Sequence, residues 1–329
     1  MLGKMTSMER LPDRFNPHFE AIESELERFL ESRPSLVRDI ASYALLGQGK
    51  RLRPLLFVLS ARLCGLEGQG AYRFSTIFEL LHTASLLHDD VLDHAELRRK
   101  KPSVPEVWGN PAAVLGGDYL YSLATIIAAE FENLDVIRML SENMKYMVEG
   151  QLLELAHTHD LSITRENYLE IITAKTAVLI SSACASGAVM AGSAKKEVER
   201  LRQYGLNLGI AFQLMDDVLD YTASEEEFGK PVGKDLKEGK VTLPLIYYLS
   251  ERTGAEADKL GDLFKNHKAG EEDHRRLIGL IRETGAIDRV QREAEGYVQR
   301  AASFLDPAPE SPAKQDLLSL GRYMLARRH

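Results

Sequence analysis

The stretch LLHDDVLD, Leu86 to Asp93, decides the fold together with its near copy QLMDDVLDY, Gln213 to Tyr221. Each stretch stands at the end of a long apolar run, Phe74 to Leu92 in the first case and Val198 to Tyr221 in the second. These runs are too long for strands and are rich in Ala, Leu and Met, which favour helices. The repeat therefore predicts two long helices whose C-terminal ends carry clustered aspartates.

The rest of the chain has the same helical periodicity. Several runs are apolar around most of the helix circumference, which is typical of helices buried in the centre of a bundle. We find no clear alternation of apolar and polar residues and no Asn-Gly turn that would indicate a hairpin. We therefore expect an all-α fold. The further helical runs are Leu55 to Leu63, Ala112 to Ala129, Val136 to Leu155, Tyr168 to Ala191 and Leu243 to Leu249.

The chain length leaves open one large domain or two medium ones, since 329 residues with 44% apolar content suit either. No stretch combines Pro, Gly and polar residues over the length of a linker. The best candidate, Asp306 to Lys314, lies close to the C-terminus. We therefore expect a single helical domain over residues 1–329, with residues 1–16 loosely ordered.

Composition narrows the function classes. A formal net charge of -8 argues against a nucleic-acid binder, which would carry a basic patch. Cys64 and Cys184 stand among apolar and small residues, so they indicate buried thiols in a reducing cytoplasm. The N-terminus lacks the layout of a signal peptide, and no run approaches the roughly eighteen apolar residues of a membrane span. We expect a soluble cytoplasmic protein.

The aspartate clusters are typical of a magnesium site. On a helix, Asp89 and Asp93 lie one turn apart on one face, where like charges repel and the helix dipole disfavours anions. A cation would compensate, and carboxylates without His or Cys suit magnesium. In this length a DDxxD pattern arises by chance about 0.07 times, so two copies are strong evidence. The candidate metal ligands are Asp89, Asp90, Asp93, Asp216, Asp217 and Asp220.

Basic residues accompany both clusters. Arg binds phosphate through a planar fork and Lys as a mobile point charge. Their placement beside two carboxylate clusters predicts a site for two diphosphates, one of them held through metal. The basic groups are Gly49 to Pro54 (GKRLRP), Arg98 to Lys101, Lys175 with Thr176 inside an apolar run, and Lys230, Lys234, Lys237 and Lys240.

Two histidines stand near the first cluster. His82 lies about two turns before Asp89 on the same helical stripe, and His88 directly precedes the cluster. A histidine in a helix is more often packed or exposed than a ligand, so for His88 the structural interpretation is preferred.

The order of these motifs resembles the trans-isoprenyl diphosphate synthases, the polyprenyl synthetase family, over essentially the whole chain. That resemblance implies a single large helical bundle with a central active-site cavity, and a homodimer. The matching motifs are GKRLRP (49–54), His82, DDVLD (89–93), RR (98–99), WG (108–109), GDYL (117–120), EGQ (149–151), KT (175–176), FQ (212–213), DDVLD (216–220) and GKPVGKDLKEGKVTLP (229–244).

The resemblance also implies the roles of the residues. It implies that magnesium, three ions when substrate is bound, is coordinated by Asp89, Asp93 and Asp216. The implied ligands of isopentenyl diphosphate are Lys50, Arg53, His82 and Arg99. The implied contacts of an allylic diphosphate are Arg98, Lys175, Thr176, Gln213, Lys230 and Lys240. Among all of these, the residues expected to be catalytic are Asp89, Asp93, Lys175, Asp216 and Lys240.

The reaction that the family implies suits these residue types. Ionisation of the allylic C–O bond gives a carbocation and a departing diphosphate, so catalysis consists of stabilising the leaving charge. Isopentenyl diphosphate then attacks the cation and a proton is lost. No side-chain nucleophile is needed, and apolar walls would protect the cation from water. We expect transient membrane contact when an apolar product is released.

Product length depends on the residues before the first aspartate cluster. In the family these residues gate the tunnel, and here Ala84 and Ser85 are both small, as in long-chain members. The alternative is that they only allow close helix packing, which leaves a short-chain geranylgeranyl or farnesyl diphosphate synthase open. The candidates for the tunnel floor are Leu140, Met144 and Met147. Gln48 and Lys100 stand where the family usually has glycine.

Two other classes compete with this interpretation. A terpene cyclase shares the helical fold and the first aspartate motif, but its second metal motif normally differs from DDxxD. A non-catalytic subunit of a heteromeric synthase typically lacks one aspartate motif, whereas both are complete here.

Overall fold

The structure is a computed structural model that describes residues 13–31, 34–46, 49–222, 233–251 and 270–326. It confirms the all-α class. The helices are α1 (Asn16–Arg28), α2 (Ser35–Leu45), α3 (Leu52–Leu63), α4 (Gln69–Leu92), α5 (Val104–Trp108), α6 (Asn110–Glu130), α7 (Leu134–Ala156), α8 (Arg165–Ile172), α9 (Val178–Met190), α10 (Lys195–Thr222), α11 (Lys234–Lys237), α12 (Leu243–Ser250), α13 (Glu271–Glu283), α14 (Ala286–Leu305) and α15 (Pro312–Ala326).

Local sequence explains where several helices begin. The side chains of Ser103, Asn133 and Thr164 accept backbone N–H groups at the first turns of α5, α7 and α8. Such caps satisfy donors that have no partner inside the helix. Pro111 lies in the first turn of α6, where a missing N–H costs nothing. α6 therefore begins two residues before the predicted helical run Ala112 to Ala129.

A short hairpin follows the first aspartate cluster, although no Asn-Gly turn or alternating pattern indicates it. Strands Leu97–Arg98 and Lys101–Pro102 pair antiparallel. The two residues between them, Arg99 and Lys100, have φ angles of 50° and 66°. Such a turn needs left-handed backbone at both positions, and Gly or Asn usually supplies it. The expectation of no hairpin is therefore wrong here, and Lys100 adopts a conformation that glycine adopts more readily.

The core consists of two apolar clusters that share the central helices. One cluster surrounds α4 and contains the stacked rings of Phe57 and Phe74, whose centroids lie 4.8 Å apart. The other surrounds α10, which packs against α9 and α14. Both motif-bearing helices are thus held in the middle of the bundle. At their C-terminal ends, Asp89 and Asp93 of the first motif and Asp216 and Asp220 of the second line one cavity.

Both ends of the described chain pack onto this bundle. A single 3₁₀ turn, Asp13–Phe15, leads into α1, and Phe15 is fully buried. Of the predicted loosely ordered segment 1–16, residues 13–16 therefore belong to helical structure, and residues 1–12 lie outside the described part. After Leu305 the chain turns and α15 packs Leu317 and Leu320 into the same cluster as α10. The proposed break at Asp306 to Lys314 separates two helices of one core.

Two helical stretches in the described part are long and apolar enough to cross a membrane by length and composition alone. Residues Arg165–Met190 are mostly buried inside the bundle, as a core helix of a soluble protein would be. Residues Asn110–Glu130, which form α6, bury only 39% of the tested window. The exposed apolar side of α6 therefore requires an explanation.

Candidate active site

A cavity of about 950 Å³ opens between the C-terminal ends of α4 and α10. It brings together most residues that the sequence singled out. Predicted Lys230 and Gln48 lie outside the described residues. The predicted residues that line the cavity include Lys50, Arg51, Arg53, His82, Ser85, His88, Asp89, Asp93, Arg98, Arg99, Met147, Lys175, Thr176, Gln213, Asp216, Asp220, Lys234 and Lys240.

Four of the six aspartates line this cavity: Asp89 and Asp93 from the first motif, and Asp216 and Asp220 from the second. Burial raises the pKa of Asp89, and the neighbouring charge of Asp93 raises it further. Burial, followed by the charge of Asp235, also raises the pKa of Asp220. Crowded carboxylates of this kind are stabilised by a cation, so the donor set fits a hard divalent ion.

No single cluster would enclose the ion. Among the described residues, no three carboxylate, imidazole or thiol side chains converge closely enough to hold a metal by themselves. Magnesium commonly takes one or two protein carboxylates and completes its shell with water and substrate phosphates. The two helix ends therefore suit ions that bind together with a diphosphate.

The other two aspartates of the motifs have protein partners and are absent from the cavity lining. Asp90 is 2% exposed and accepts a hydrogen bond from Nε of Arg98 at 2.5 Å. Asp217, also 2% exposed, accepts hydrogen bonds from Tyr168 and from Gln213. Burial raises the pKa of Asp217 well above its ordinary value. The assignment of these two residues as metal ligands stays a prediction.

All three basic residues of the GKRLRP motif line the cavity, but the guanidinium of Arg51 is paired with protein acids. The Arg51 side chain is 2% exposed and donates to Glu23 at 2.7 Å and to Glu79 at 2.6 Å. Its backbone has a φ of 44°, so the chain turns sharply into α3. Arg51 therefore fixes the turn that holds Lys50 and Arg53 at the cavity.

His82 lies beside these cations. Burial lowers its pKa well below the ordinary value, and the charges of Arg53 and Arg99 lower it further. A neutral imidazole keeps one N–H donor, which suits a diphosphate oxygen. His88 has a different neighbour: its Nε2 lies 3.1 Å from the carbonyl oxygen of Val114 on α6. His88 also lines the cavity, so its ring both packs against α6 and is accessible from the cavity.

Lys175 and Thr176 lie in a π-helical turn, Thr173–Ala177, that joins α8 to α9. Such a turn inside a helix is rare and is often found at functional sites. A Cβ on Gly150 of α7 would lie 2.8 Å from the backbone nitrogen of Lys175, so glycine permits this close approach. Nζ of Lys175 forms an ion pair with Glu154, one turn further along α7.

Lys240 connects the second basic loop to the first aspartate motif. Its Nζ lies 2.9 Å from Oδ2 of Asp93 and 2.8 Å from Oε2 of Glu238. Burial disfavours the charge of Lys240, but the surrounding acids, Glu154 and Asp93 first, outweigh it and raise the pKa. The carboxylate of Asp220 accepts the backbone N–H groups of Lys234 at 3.1 Å and Asp235 at 3.2 Å. These bonds hold the loop over the cavity.

The structure separates the two candidate gate residues. Ser85 lines the cavity, and its hydroxyl donates to the carbonyl oxygen of His82 at 2.8 Å. Ala84 is fully buried in the core cluster around α4 and does not line the cavity. Of the three candidate floor residues on α7, only Met147 belongs to the cavity lining.

The sequence missed several acids that contact the predicted cations. Glu154 stands one helical turn after Gln151, and helical spacing alone would have placed it near the EGQ motif. Asp235 and Glu238 lie within the second basic loop, where the prediction considered only the lysines. Tyr168 gave no signal, because its partner Asp217 is distant in sequence.

Fold and site together define a class: an all-helical enzyme whose cavity sets clustered carboxylates between two groups of cations. The polyprenyl synthetase family model matches residues 34–281, and the chain belongs to this family. Members are prenyltransferases that make prenyl diphosphates, and the family implies a divalent metal.

Relatives with different products are about equally similar. The chain is 33% identical over 321 residues to octaprenyl diphosphate synthase of Escherichia coli (strain K12), covering 98% of this chain and 99% of that one. It is 34% identical over 330 residues to geranylgeranyl diphosphate synthase of Methanosarcina mazei, covering 99% of each. The crystal structure of a polyprenyl synthase from Caulobacter crescentus CB15, complexed with calcium and isoprenyl diphosphate, has a TM-score of 0.93 and 36% identity, with 98% of each chain covered.

Proposed function

We propose that the protein condenses isopentenyl diphosphate with an allylic diphosphate, such as farnesyl or geranylgeranyl diphosphate, in a magnesium-dependent reaction. The product is a longer all-trans polyprenyl diphosphate of medium to long chain. The observation that carries the proposal is the shared cavity, in which the ends of α4 and α10 present carboxylates between two cationic groups. One cationic group suits the diphosphate of the allylic substrate, and the other suits the diphosphate of isopentenyl diphosphate.

The allylic diphosphate occupies the side of the cavity with Lys175, Thr176, Gln213 and Lys240. Asp89, Asp93, Asp216 and Asp220 would hold magnesium, which would supply positive charge beside this diphosphate. Lysines 175 and 240 donate hydrogen bonds to the leaving group as its charge grows, which lowers the barrier to C–O cleavage. Their ion pairs with protein acids are exchanged for contacts to the substrate.

Isopentenyl diphosphate occupies the other side, beside Lys50, Arg53 and Arg99. These cations and the neutral His82 hold its diphosphate so that the double bond faces the allylic carbon. The double bond attacks the cation, and the proton lost afterwards goes to the departed diphosphate. Apolar lining from Phe212 excludes water, which would otherwise capture the cation.

A growing chain extends past Ser85 toward Met147. Ser85 and Met147 both line the cavity, and Ser85 is small enough to leave the passage open. The alternative is a short-chain synthase, in which this region stops the product early. Sizing the product distinguishes the two.

The active form is a homodimer. Large apolar side chains are exposed on α6 and α7, among them Leu115 at 67%, Ile126 at 58% and Leu134 at 73%. An interface of two copies would bury them. Light scattering is expected to give a dimer of about twice the 36.8 kDa chain mass; a stable monomer at micromolar concentration would contradict the proposal. The location is the cytoplasm, with transient membrane contact for product release.

The proposal is tested by incubating the protein with isopentenyl diphosphate, magnesium and each of geranyl, farnesyl and geranylgeranyl diphosphate in turn. The dephosphorylated products are then sized by mass spectrometry. We expect linear alcohols extended by several five-carbon units. Cyclic hydrocarbons formed from the allylic substrate alone would indicate a terpene cyclase, and no conversion at all would indicate a non-catalytic subunit.

A further inference from the structure

A row of hydrogen bonds behind the candidate site begins at Tyr168, which no motif contains. Tyr168 lies on α8, is 3% exposed and donates its hydroxyl to Oδ2 of Asp217. Oδ1 of Asp217 accepts from Nε2 of Gln213 at 2.9 Å. Oε1 of Gln213 accepts from the hydroxyl of Thr176 at 3.0 Å. The row joins α8, α10 and the π-helical turn, and it ends at two residues of the proposed allylic subsite.

The row orients the amide of Gln213. Whether or not Asp217 carries a proton, one of its oxygens can accept the amide N–H. The carbonyl of Gln213 is then left facing the Thr176 hydroxyl, as observed. The phenol of Tyr168 holds the carboxyl group of Asp217 from the other side, so the carboxyl plane cannot rotate away from the amide.

Gln213 and Thr176, at the end of the row, border two cavities. A second cavity of about 150 Å³ lies behind the main one and is lined by Tyr168 and Asp217. Four residues of the proposed allylic subsite line both cavities: Lys175, Thr176, Gln213 and Lys240. The subsite is therefore a wall that borders both cavities. Its side chains depend on bonds within the wall for their positions.

We propose that Tyr168 is a positioning residue for the allylic diphosphate. Acting through Asp217, it fixes Gln213 and Thr176 in the orientation that receives this substrate. Small displacements of binding groups weaken productive binding strongly, because the reacting atoms must be held in near-attack geometry. The inference rests on the proposed function, and it assigns Asp217 to support of the wall.

The test compares Tyr168→Phe with Tyr204→Phe, a matched control. Tyr204 is 1% exposed, belongs to the same apolar cluster and donates its hydroxyl to the carbonyl oxygen of Leu317 at 2.8 Å, outside both cavities. Both variants remove one buried hydroxyl. We expect Tyr168→Phe to raise KM for farnesyl diphosphate about tenfold and leave KM for isopentenyl diphosphate unchanged. Tyr204→Phe is expected to change neither constant, at a similar melting temperature.

Asp217→Asn provides a second test if Tyr168→Phe fails to fold. It should raise KM for the allylic substrate without changing the magnesium concentration that gives half-maximal rate. A higher magnesium requirement would make Asp217 a metal ligand and overturn the inference. An unchanged allylic KM in a folded Tyr168→Phe variant, or equal changes in both constants, would also overturn it. If the wild-type protein condensed no substrates, the proposed function itself would fall, so the two failures are distinguishable.

Discussion

Ser85→Phe and Ala84→Phe place the same ring at neighbouring positions of α4, and we expect opposite outcomes. Ser85 lines the cavity, so its ring can enter open space next to the path of the growing chain. The lost hydrogen bond to the carbonyl oxygen of His82 costs about 0.5–1.5 kcal/mol. For a chain of this length an unfolding entropy of about 0.7 kcal/mol/K lowers the melting temperature by only about 1–2 °C. The product should shorten to about C15–C20.

Ala84 is fully buried in the core, so the same ring has no space there. Overpacking typically costs about 1–3 kcal/mol or more, which corresponds to a loss of about 1.5–4 °C in melting temperature. We expect Ala84→Phe to lose stability while any remaining activity gives the wild-type product. Product mass spectrometry and calorimetry on both variants provide the comparison. A folded, active Ser85→Phe enzyme that still makes the wild-type product would remove Ser85 from the tunnel.

Four other variants test the site and its scaffold. Asp216→Ala should lower kcat by several orders of magnitude with the fold intact by circular dichroism, because a proposed metal ligand is lost; near-normal turnover would refute that role. Arg99→Ala should raise KM for isopentenyl diphosphate and Lys175→Ala KM for the allylic substrate, so a change in the same constant for both would disprove the two subsites. Arg51→Met leaves Glu79 buried without its partner and should cost about 3–5 kcal/mol in urea unfolding; a loss below about 1 kcal/mol would contradict a structural role for Arg51.

Helical periodicity predicted the framework because long apolar runs at a period of 3.6 have few other solutions. Helical periodicity also distinguishes aspartates within each motif, which residue type alone does not. Successive residues on a helix do not share a face, whereas residues four apart do. Asp90 and Asp217 directly follow Asp89 and Asp216, so their side chains point elsewhere. The cavity accordingly contains the first and last aspartate of each motif.

Other features depend on tertiary contacts and could not be predicted locally. The π-helical turn at Lys175 is packed closely against Gly150, a residue of another helix. The hairpin turn at Arg99 and Lys100 uses left-handed backbone without the glycine or asparagine that normally indicates it. The role of Arg51 depends on Glu23 and Glu79, which lie far from it in sequence and pair with its guanidinium.

The central claim, metal-dependent condensation of two diphosphates in one cavity, is tested most directly by the stoichiometry of diphosphate release. The protein is incubated with farnesyl diphosphate and labelled isopentenyl diphosphate, with magnesium or with EDTA, and inorganic diphosphate and labelled product are measured together. Metal-dependent condensation requires one diphosphate released for each five-carbon unit incorporated, and none with EDTA or when isopentenyl diphosphate is omitted. Release from farnesyl diphosphate alone, or incorporation that persists in EDTA, would contradict it.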